Sequence, residues 1–240
     1  MQGYIQVLSS GSKGNCYLLF DSRGKCLIID LGISWKKGIL PGLKYDLSNV
    51  VCSLVSHDHI SDHTKSIIEC MHNGIPVYGN NDVCEKYEKC NLIDKYLIID
   101  GFTIQTFELV HNKPNNAFII DTIDGIRVLY CTDTKYIPKI VRNVNVAMIE
   151  CNYDDGVIID NMMEGIDNNS QPEYHQCLNN CINYLKYIYS PSLQYILLIH
   201  LSNMNGDKEY FIKEVKFQIG FNEVDIASDN KIINLKKEDF

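Results

Sequence analysis

Features that mark several protein classes are missing from this sequence of 240 residues. No Pro-, Gly- or Ser-rich linker separates regions of different composition, and no internal repeat is visible. Lys36-Lys37 and Lys236-Lys237 are isolated basic pairs rather than parts of a stripe, and the formal net charge is -8. We therefore expect a single domain over residues 1–240 with a full core. The charge argues against a protein that binds nucleic acid by neutralising many phosphates.

The sequence also lacks the signals of a membrane or exported protein. No apolar run approaches the ~18 residues that a membrane-spanning helix needs, and MQGYIQVLSSGSKG has no basic segment followed by an apolar one. The ten cysteines, from Cys16 to Cys181, include no CxxC pair. Cys52 and Cys131 lie in apolar runs, where free cysteine packs as a small hydrophobe. We expect a reduced, cytoplasmic protein with no membrane contact.

Short apolar strands alternate with helical segments in both halves of the chain. The strand-like runs are YIQVL, CYLLF, CLIID, VVCSLVS, PVYG, FTIQTFELVH, NAFIIDT, IRVLYCT, VAMIEC, YILLIH and EVDIAS. Helical periodicity marks TKSIIECMHNG, NDVCEKYEK, YHQCLNNCINYLKYIY and DKEYFIKEVKFQI. Residues 152–172 are polar, and we expect them to be irregular. This order predicts an α/β protein with four layers, in which two mixed β-sheets pack together and the helices lie outside.

The stretch SHDHISDH crowds histidine and aspartate behind a predicted strand. Further candidates, His111, Asp133 and His200, each follow or end another strand. Loops at the carboxyl ends of strands gather at one edge of a layered α/β protein, so these side chains can converge. Histidine and carboxylate suit Zn²⁺, Mn²⁺ or Fe. His57 and His59 can reach one ion, and Asp62 and His63 a second. Taken alone, each histidine could instead be structural; the joint pattern favours a two-metal site.

With these motifs the chain resembles the metallo-β-lactamase fold superfamily. Within it, the sequence is most similar to the tRNase Z-related branch, which includes YycJ-like exonucleases and small phage-type cyclic-nucleotide phosphodiesterases. The matching segments are LSSGSKGNCYLLF, LIIDLGIS, SHDHISDH, YCTDT, MIECNYD and LLIHLSNMN. The resemblance implies a four-layer αββα metallo-β-lactamase sandwich with two divalent metal ions, Zn²⁺ first and Mn²⁺ as the alternative.

The resemblance also implies a role for each candidate ligand. The first ion would be bound by His57, His59 and His111, the second by Asp62, His63 and His200, with Asp133 bridging both. Asp30 matches an aspartate that supports the metal loops, although it could equally cap a helix. The family motif is His-x-His-x-Asp-His, whereas this chain has one more residue, Ile60 or Ser61, between the ligand pairs. We expect the loop to absorb that residue; the alternative is a tilted Asp62 and a weaker second ion.

For the chemistry, the resemblance implies hydrolysis of a phosphodiester by a hydroxide that the two ions activate. Asp62 would orient the hydroxide. His175, in EYHQCLNN, would protonate the leaving group, and Glu150, in MIECNYD, would hold His175. The alternative for His175 is a helix cap or a solvent-exposed side chain.

Three functions stay open at this point. Acidic charge and the lack of a protruding arm slightly favour a small substrate, such as a cyclic nucleotide. A DNA or RNA nuclease of the YycJ-like type is the alternative, and a catalytically inactive binding protein is a weaker one. The resemblance also implies a homodimer. Residues 155–172 could serve as a pocket lid or a partner contact.

Overall fold

The apolar runs form two β-sheets in the computed structural model, which describes residues 2–165 and 171–236. The strands are β1 (Tyr4–Ser9), β2 (Cys16–Phe20), β3 (Cys26–Ile29), β4 (Val50–Leu54), β5 (Val77–Gly79), β6 (Asn91–Leu92), β7 (Tyr96–Ile99), β8 (Phe102–Glu108), β9 (Asn116–Asp121), β10 (Arg127–Cys131), β11 (Val146–Glu150), β12 (Tyr195–Ile199), β13 (Val224–Ile226) and β14 (Ile232–Asn234). The order is β14-β1-β2-β3-β4-β5-β6 in the first sheet and β13-β12-β11-β10-β9-β8-β7 in the second.

Both sheets are mixed, as the sequence predicts. In the first, β14 to β3 pair antiparallel and β3 to β6 pair parallel. In the second, β13 to β10 pair parallel and β10 to β7 pair antiparallel. The parallel strands are the ones that need crossover connections, and these connections carry most of the helices.

Helices lie on the outer faces of the sheets. They are α1 (Leu40–Gly42), which continues a π-helical turn at Trp35–Ile39, α2 (Ile67–His72), α3 (Asn81–Lys86), α4 (Asp155–Met163), α5 (Gln171–Tyr174), α6 (Leu178–Ile188) and α7 (Lys208–Ile219). Within the described ranges, no helix is long and apolar enough to cross a membrane.

Three apolar layers hold the four structural layers together. Residues of both sheets, such as Tyr17 and Phe118, form the central layer. Trp35 and Ile67 pack outside the first sheet, and Phe211 on α7 packs outside the second. This alternation of buried layers is the αββα sandwich that the sequence predicts.

Two expectations about secondary structure were wrong. Part of the segment expected to be irregular is α4, where the Asp154 carboxylate accepts the N–H groups of Gly156 and Val157 at the start of the helix. Residues 166–170 of that segment lie outside the described part. The short strands β6, β7 and β14 were not predicted. Of these, β14 follows β13, which was the last strand predicted from the sequence. The idea of a lid over residues 155–172 stays a prediction.

Candidate metal centre

Four strand ends deliver histidine and aspartate to one point between the sheets. His57 follows β4, His111 follows β8, Asp133 follows β10 and His200 follows β12. Asp133 and His200 have positive φ angles of 48° and 53°, a backbone region that non-glycine residues seldom adopt. These turns direct the two side chains back towards the sheet edge, where a strained backbone is typical of a functional site.

One cluster comprises Asp62, His63, Asp133 and His200, whose potential ligand atoms all lie within 4.8 Å of one another. His63 Nε2 is 3.0 Å from Asp133 Oδ2 and 3.6 Å from Asp62 Oδ2. His200 Nε2 is 3.6 Å from Asp62 Oδ2 and 3.5 Å from Asp133 Oδ1. All four residues are buried. They are the residues expected to hold the second ion, with the bridging Asp133.

A second cluster joins His57 and His111 to Asp133 at the same 4.8 Å spacing. His57 Nδ1 lies 3.1 Å from the Ser56 hydroxyl, and His111 Nδ1 donates to the carbonyl oxygen of Tyr174 at 3.3 Å. In both rings Nε2 is therefore the nitrogen left for another partner. Burial, and then the nearby His63, lower the pKa of His57 well below its usual range, and burial lowers the pKa of His111. Neutral imidazole is the form that binds metal.

His59 lies apart from the residues with which the sequence groups it. Its Nδ1 is 2.6 Å from Asp62 Oδ1, and 49% of its side chain is exposed. Its ring centroid is 5.9 Å from that of His57. Among the described residues, none of the groups with metal-ligand spacing includes His59. The extra residue of the motif thus leaves Asp62 beside His63 and His200, and it is His59 that lies towards solvent.

Backbone contacts fix the loop that carries Asp62 and His63. The carbonyl oxygen of His59 accepts the N–H groups of His63 and Thr64, so the extra residue lies in a helical turn. The N–H of Asn15 donates to the carbonyl oxygen of Asp62 at 2.7 Å. A Cβ atom on Gly32 would lie 1.7 Å from that same oxygen, so position 32 admits only glycine in this arrangement.

Asp30 supports His63 from behind the cluster. Its Oδ2 lies 2.9 Å from His63 Nδ1 and accepts the Tyr130 hydroxyl at 2.5 Å, while Oδ1 accepts the Ser56 N–H at 2.8 Å. Asp30 caps no described helix; Ser34 caps the turn that follows. Burial opposes a charged His63, but Asp30 and Asp133 outweigh it and raise the pKa of His63 to about 10. With Nδ1 held by Asp30, Nε2 faces Asp133 and Asp62.

His175 and Glu150, which the sequence pairs only through resemblance, are in contact. His175 Nδ1 is 2.6 Å from Glu150 Oε1, and Glu150 Oε2 accepts the Thr134 N–H at 2.7 Å. Burial opposes charge on both residues, yet their mutual attraction outweighs it, so the pKa of Glu150 is lowered and that of His175 is raised. The two residues also form, with Asp133 and His200, a third group with metal-ligand spacing.

The clusters open into a cleft of about 280 Å³. It is lined by Ser12, His59, Ser61, Asp62, His111, Asn112, Lys113, Asp133, Tyr174, His175 and His200. Lys113 donates to the carbonyl oxygen of Asp58 at 2.9 Å, and Lys86 donates to the Asp58 carboxylate at 2.8 Å. Asn152 donates to the His200 carbonyl oxygen at 2.7 Å. Sequence reasoning missed Lys113, Lys86 and Asn152, because none is of a type that ligates metal or transfers protons in the motifs above.

The residues present fit a metal centre. Nε2 of His57 and Nε2 of His200 are buried and, within the described part of the chain, have no hydrogen-bond partner. A buried polar atom without a partner is costly, and a bound cation removes that cost. The donors are imidazole nitrogens and carboxylate oxygens, which suit Zn²⁺ or Mn²⁺.

The sequence matches no family model. It is similar to the exodeoxyribonuclease WalJ of Streptococcus pneumoniae, with 27% identity over 168 residues. That alignment covers 62% of this chain and 62% of WalJ, so the chain spans less than two thirds of the length of this curated relative.

Solved structures are similar over nearly the whole chain. The metallo-β-lactamase fold protein YhfI from Bacillus subtilis superimposes with a TM-score of 0.77 at 19% identity, covering 97% of this chain and 100% of YhfI. This chain has the metallo-β-lactamase fold. The metallo hydrolase Igni18 from Ignicoccus hospitalis (TM-score 0.70, 12% identity, 98% of this chain and 100% of Igni18) is also similar. So is the short form of human tRNase Z (TM-score 0.67, 14% identity, 97% and 99%). The metallo-β-lactamase fold confirms the architecture expected from the motifs.

Proposed function

We propose that this chain is a metal-dependent phosphodiester hydrolase. The observation that carries the proposal is the convergence of buried imidazoles and carboxylates from both sheets on Asp133, next to the His175–Glu150 pair. The activities in the names of two similar proteins, an exodeoxyribonuclease and a tRNase, support the same reaction class, since both cleave phosphodiesters.

The residues that would hold the ions follow from the two clusters. One ion would be bound by Asp62, His63, Asp133 and His200, the other by His57, His111 and Asp133, with His59 as the remaining candidate. Bound divalent ions supply a nucleophile from water near neutral pH and neutralise charge on phosphoryl oxygens. Zn²⁺ is the proposed metal, and Mn²⁺ the alternative.

Side chains of the chain supply positioning and proton transfer. Asp62 Oδ2 faces the cluster while Oδ1 is held by His59 and by the Ser61 hydroxyl at 3.0 Å, so Asp62 is fixed to orient the attacking group. His175 lines the cleft, and Glu150 holds its Nδ1. Despite burial, Glu150 raises the pKa of His175 above its usual range, which favours the protonated imidazolium, so His175 would give its proton to the leaving oxygen.

Two substrate classes follow from different observations. The small cleft and the net charge of -8 favour a small nucleotide such as a cyclic mononucleotide. The similarity to WalJ and the lysines beside Asp58 favour the end of a DNA or RNA strand. We place the small nucleotide first, because a chain with a net charge of -8 repels a long polyanionic strand more than it repels a single nucleotide.

The test measures metal and activity in the same preparations. Bound metal per chain and hydrolysis of bis(p-nitrophenyl) phosphate, 3′,5′-cyclic nucleotides and labelled DNA are measured for the wild type, His63→Ala and the control His72→Ala at an exposed helix end. We expect the wild type and His72→Ala to bind two ions per chain and to hydrolyse cyclic nucleotides. His63→Ala should bind less metal and lose activity. Cleavage of DNA alone would transfer the proposal to the nuclease. A metal-free, inactive wild type would refute it and leave a binding protein.

The homodimer remains part of the proposal. Light scattering on the purified chain tests it, with a mass twice the 27.5 kDa of one chain as the expected result.

A further inference from the structure

The two clusters around Asp133 are unequally supplied with ligands. In the Asp62 cluster, four buried side chains face one another, and neighbours hold them in place. Asp30 holds His63 at 2.9 Å, and the Thr132 hydroxyl donates to Asp133 Oδ2 at 2.8 Å. Four ligands complete the tetrahedral set of a typical zinc site.

The His57 cluster has three donors, one of which, Asp133, it shares with the other cluster. The family spacing would bring His59 in as the fourth. Here Asp62 Oδ1 holds His59 Nδ1 at 2.6 Å instead. To turn its ring towards His57, His59 would have to give up that contact with Asp62.

The additional residue explains why His59 faces Asp62. The carbonyl oxygen of His59 accepts the N–H groups of His63 and Thr64, so residues 59–64 form one helical turn. On such a turn, side chains three residues apart lie on the same face, which is the spacing from His59 to Asp62. The family spacing puts these two residues two apart, on different sides of a turn.

We propose that this chain binds its two ions with unequal affinity, and that His59 is a positioning residue for Asp62 rather than a ligand of the first ion. The proposal rests on the metal-dependent hydrolase proposed above. The tighter ion is the one at Asp62, His63, Asp133 and His200. The weaker ion would be held by His57, His111 and Asp133.

Zinc titration against a chromogenic chelator tests the inequality. We expect the wild type to show two classes of site that differ in Kd by about tenfold or more. The weaker class lacks His59, and the loss of one group around a metal ion usually has an effect of this size. His57→Ala should remove the weaker class. His59→Ala should leave the Kd of the weaker class nearly unchanged, because His59 contributes no bond to that ion.

The positioning role of His59 has its own readout. His59→Ala removes the His59 contact of Asp62 Oδ1 and leaves the Ser61 hydroxyl there, so Asp62 is held less firmly. The kcat for bis(p-nitrophenyl) phosphate should therefore fall while KM and the number of bound ions stay the same. His59→Gln, whose amide can still donate to Asp62, should recover part of kcat. A merely structural role would change thermal stability in both variants and would not give this rescue.

Deletion of Ile60 provides the converse test, because it restores the family spacing. The Ile60 side chain is 59% exposed, so its removal takes little from the core. We expect the weaker class to bind zinc about tenfold more tightly, and a further His59→Ala change to abolish that gain. If the deletion variant does not fold, the zinc affinity of the weaker class in His57→Ala and in His59→Ala still shows whether His59 is a ligand.

The outcomes separate the two proposals. Two ions of equal affinity, or a His59→Ala variant that loses the weaker ion as His57→Ala does, would overturn the unequal binding but leave the hydrolase standing. A wild type that binds no zinc or manganese would overturn both. A weaker class that depends on His57 and is indifferent to His59 would establish the inference.

Discussion

His175 Nδ1 lies 2.6 Å from Glu150 Oε1, and this pair borders the Asp62 cluster through Asp133 Oδ1, 3.6 Å from the same nitrogen. The rings of His175 and His200 are stacked with their centroids 5.3 Å apart. The pair is therefore close enough to serve either as a proton donor or as additional metal ligands. The two roles differ in what removing the imidazole does to metal content.

We expect His175→Ala to lower kcat by about 10²-fold without loss of either ion, because the proposed role is protonation of the leaving oxygen. The decrease should be smaller for a p-nitrophenyl leaving group, which departs readily without a proton, than for a nucleoside alkoxide. Kinetics on both substrates and metal analysis check this, with His72→Ala as the matched control. Loss of an ion from His175→Ala would instead assign the third cluster to metal binding.

Metal binding should release protons in a pH-dependent manner. In the metal-free protein, Asp30 and Asp133 outweigh burial and raise the pKa of His63 to about 10, so His63 is protonated at neutral pH. An ion at Nε2 must displace that proton, so affinity rises with pH up to the raised pKa and falls as pH is lowered. Calorimetry of zinc binding in buffers of different ionisation enthalpy measures the protons released. No dependence on buffer would contradict the prediction.

The hydroxyl of Tyr130, which lies in the central core, donates to Asp30, the carboxylate that contacts His63 of the Asp62 cluster. Tyr130→Phe should reduce stability by about 1–3 kcal/mol, since a buried carboxylate loses a donor. It should also weaken zinc binding at the His63 cluster by about tenfold. Tyr184→Phe is the matched control, because its buried hydroxyl donates to the Lys139 carbonyl oxygen away from the cluster. Chemical denaturation and zinc titration are the measurements. Equal zinc affinity in both variants would show that Asp30 holds His63 without Tyr130.

The central strands were predictable because their apolar runs are long enough to be buried on both faces, as in β11, where every residue is buried. The edge strands β6 and β14 were not, since their short segments are largely exposed and gain their order from a neighbour. Helix α4 was missed for a similar reason. Its Ile158 packs on Tyr153 and Cys177, a contact between segments that local sequence does not reveal.

The candidate site divides in the same way. Strand ends carry most of its residues, and a strand end can be located from sequence, as His111 and His200 illustrate. The direction in which the His59 side chain points could not be predicted from sequence. It depends on the helical turn that the extra residue forms and on the approach of the Asp62 carbonyl oxygen to Gly32. The loop conformation results from contacts between distant segments, and one sequence does not specify them.

Lys113 lies on the rim of the cleft, where its ammonium group donates to the Asp58 carbonyl oxygen. A lysine there can contact a substrate phosphate without taking part in the chemistry. Lys113→Ala should therefore raise KM with kcat nearly unchanged. For a DNA substrate, it should also reduce the slope of log KM against log salt concentration by about 1.

Lys213→Ala on α7, an exposed lysine outside the cleft, is the control and should alter neither quantity. Steady-state kinetics at several salt concentrations distinguishes the substrate classes as well. A cyclic nucleotide has a single phosphate, so its KM should rise with a weak dependence on salt, whereas a strand has many phosphates and remains salt-dependent in the variant. A fall in kcat at unchanged KM would contradict the binding role and place Lys113 among the groups that act in the chemical step.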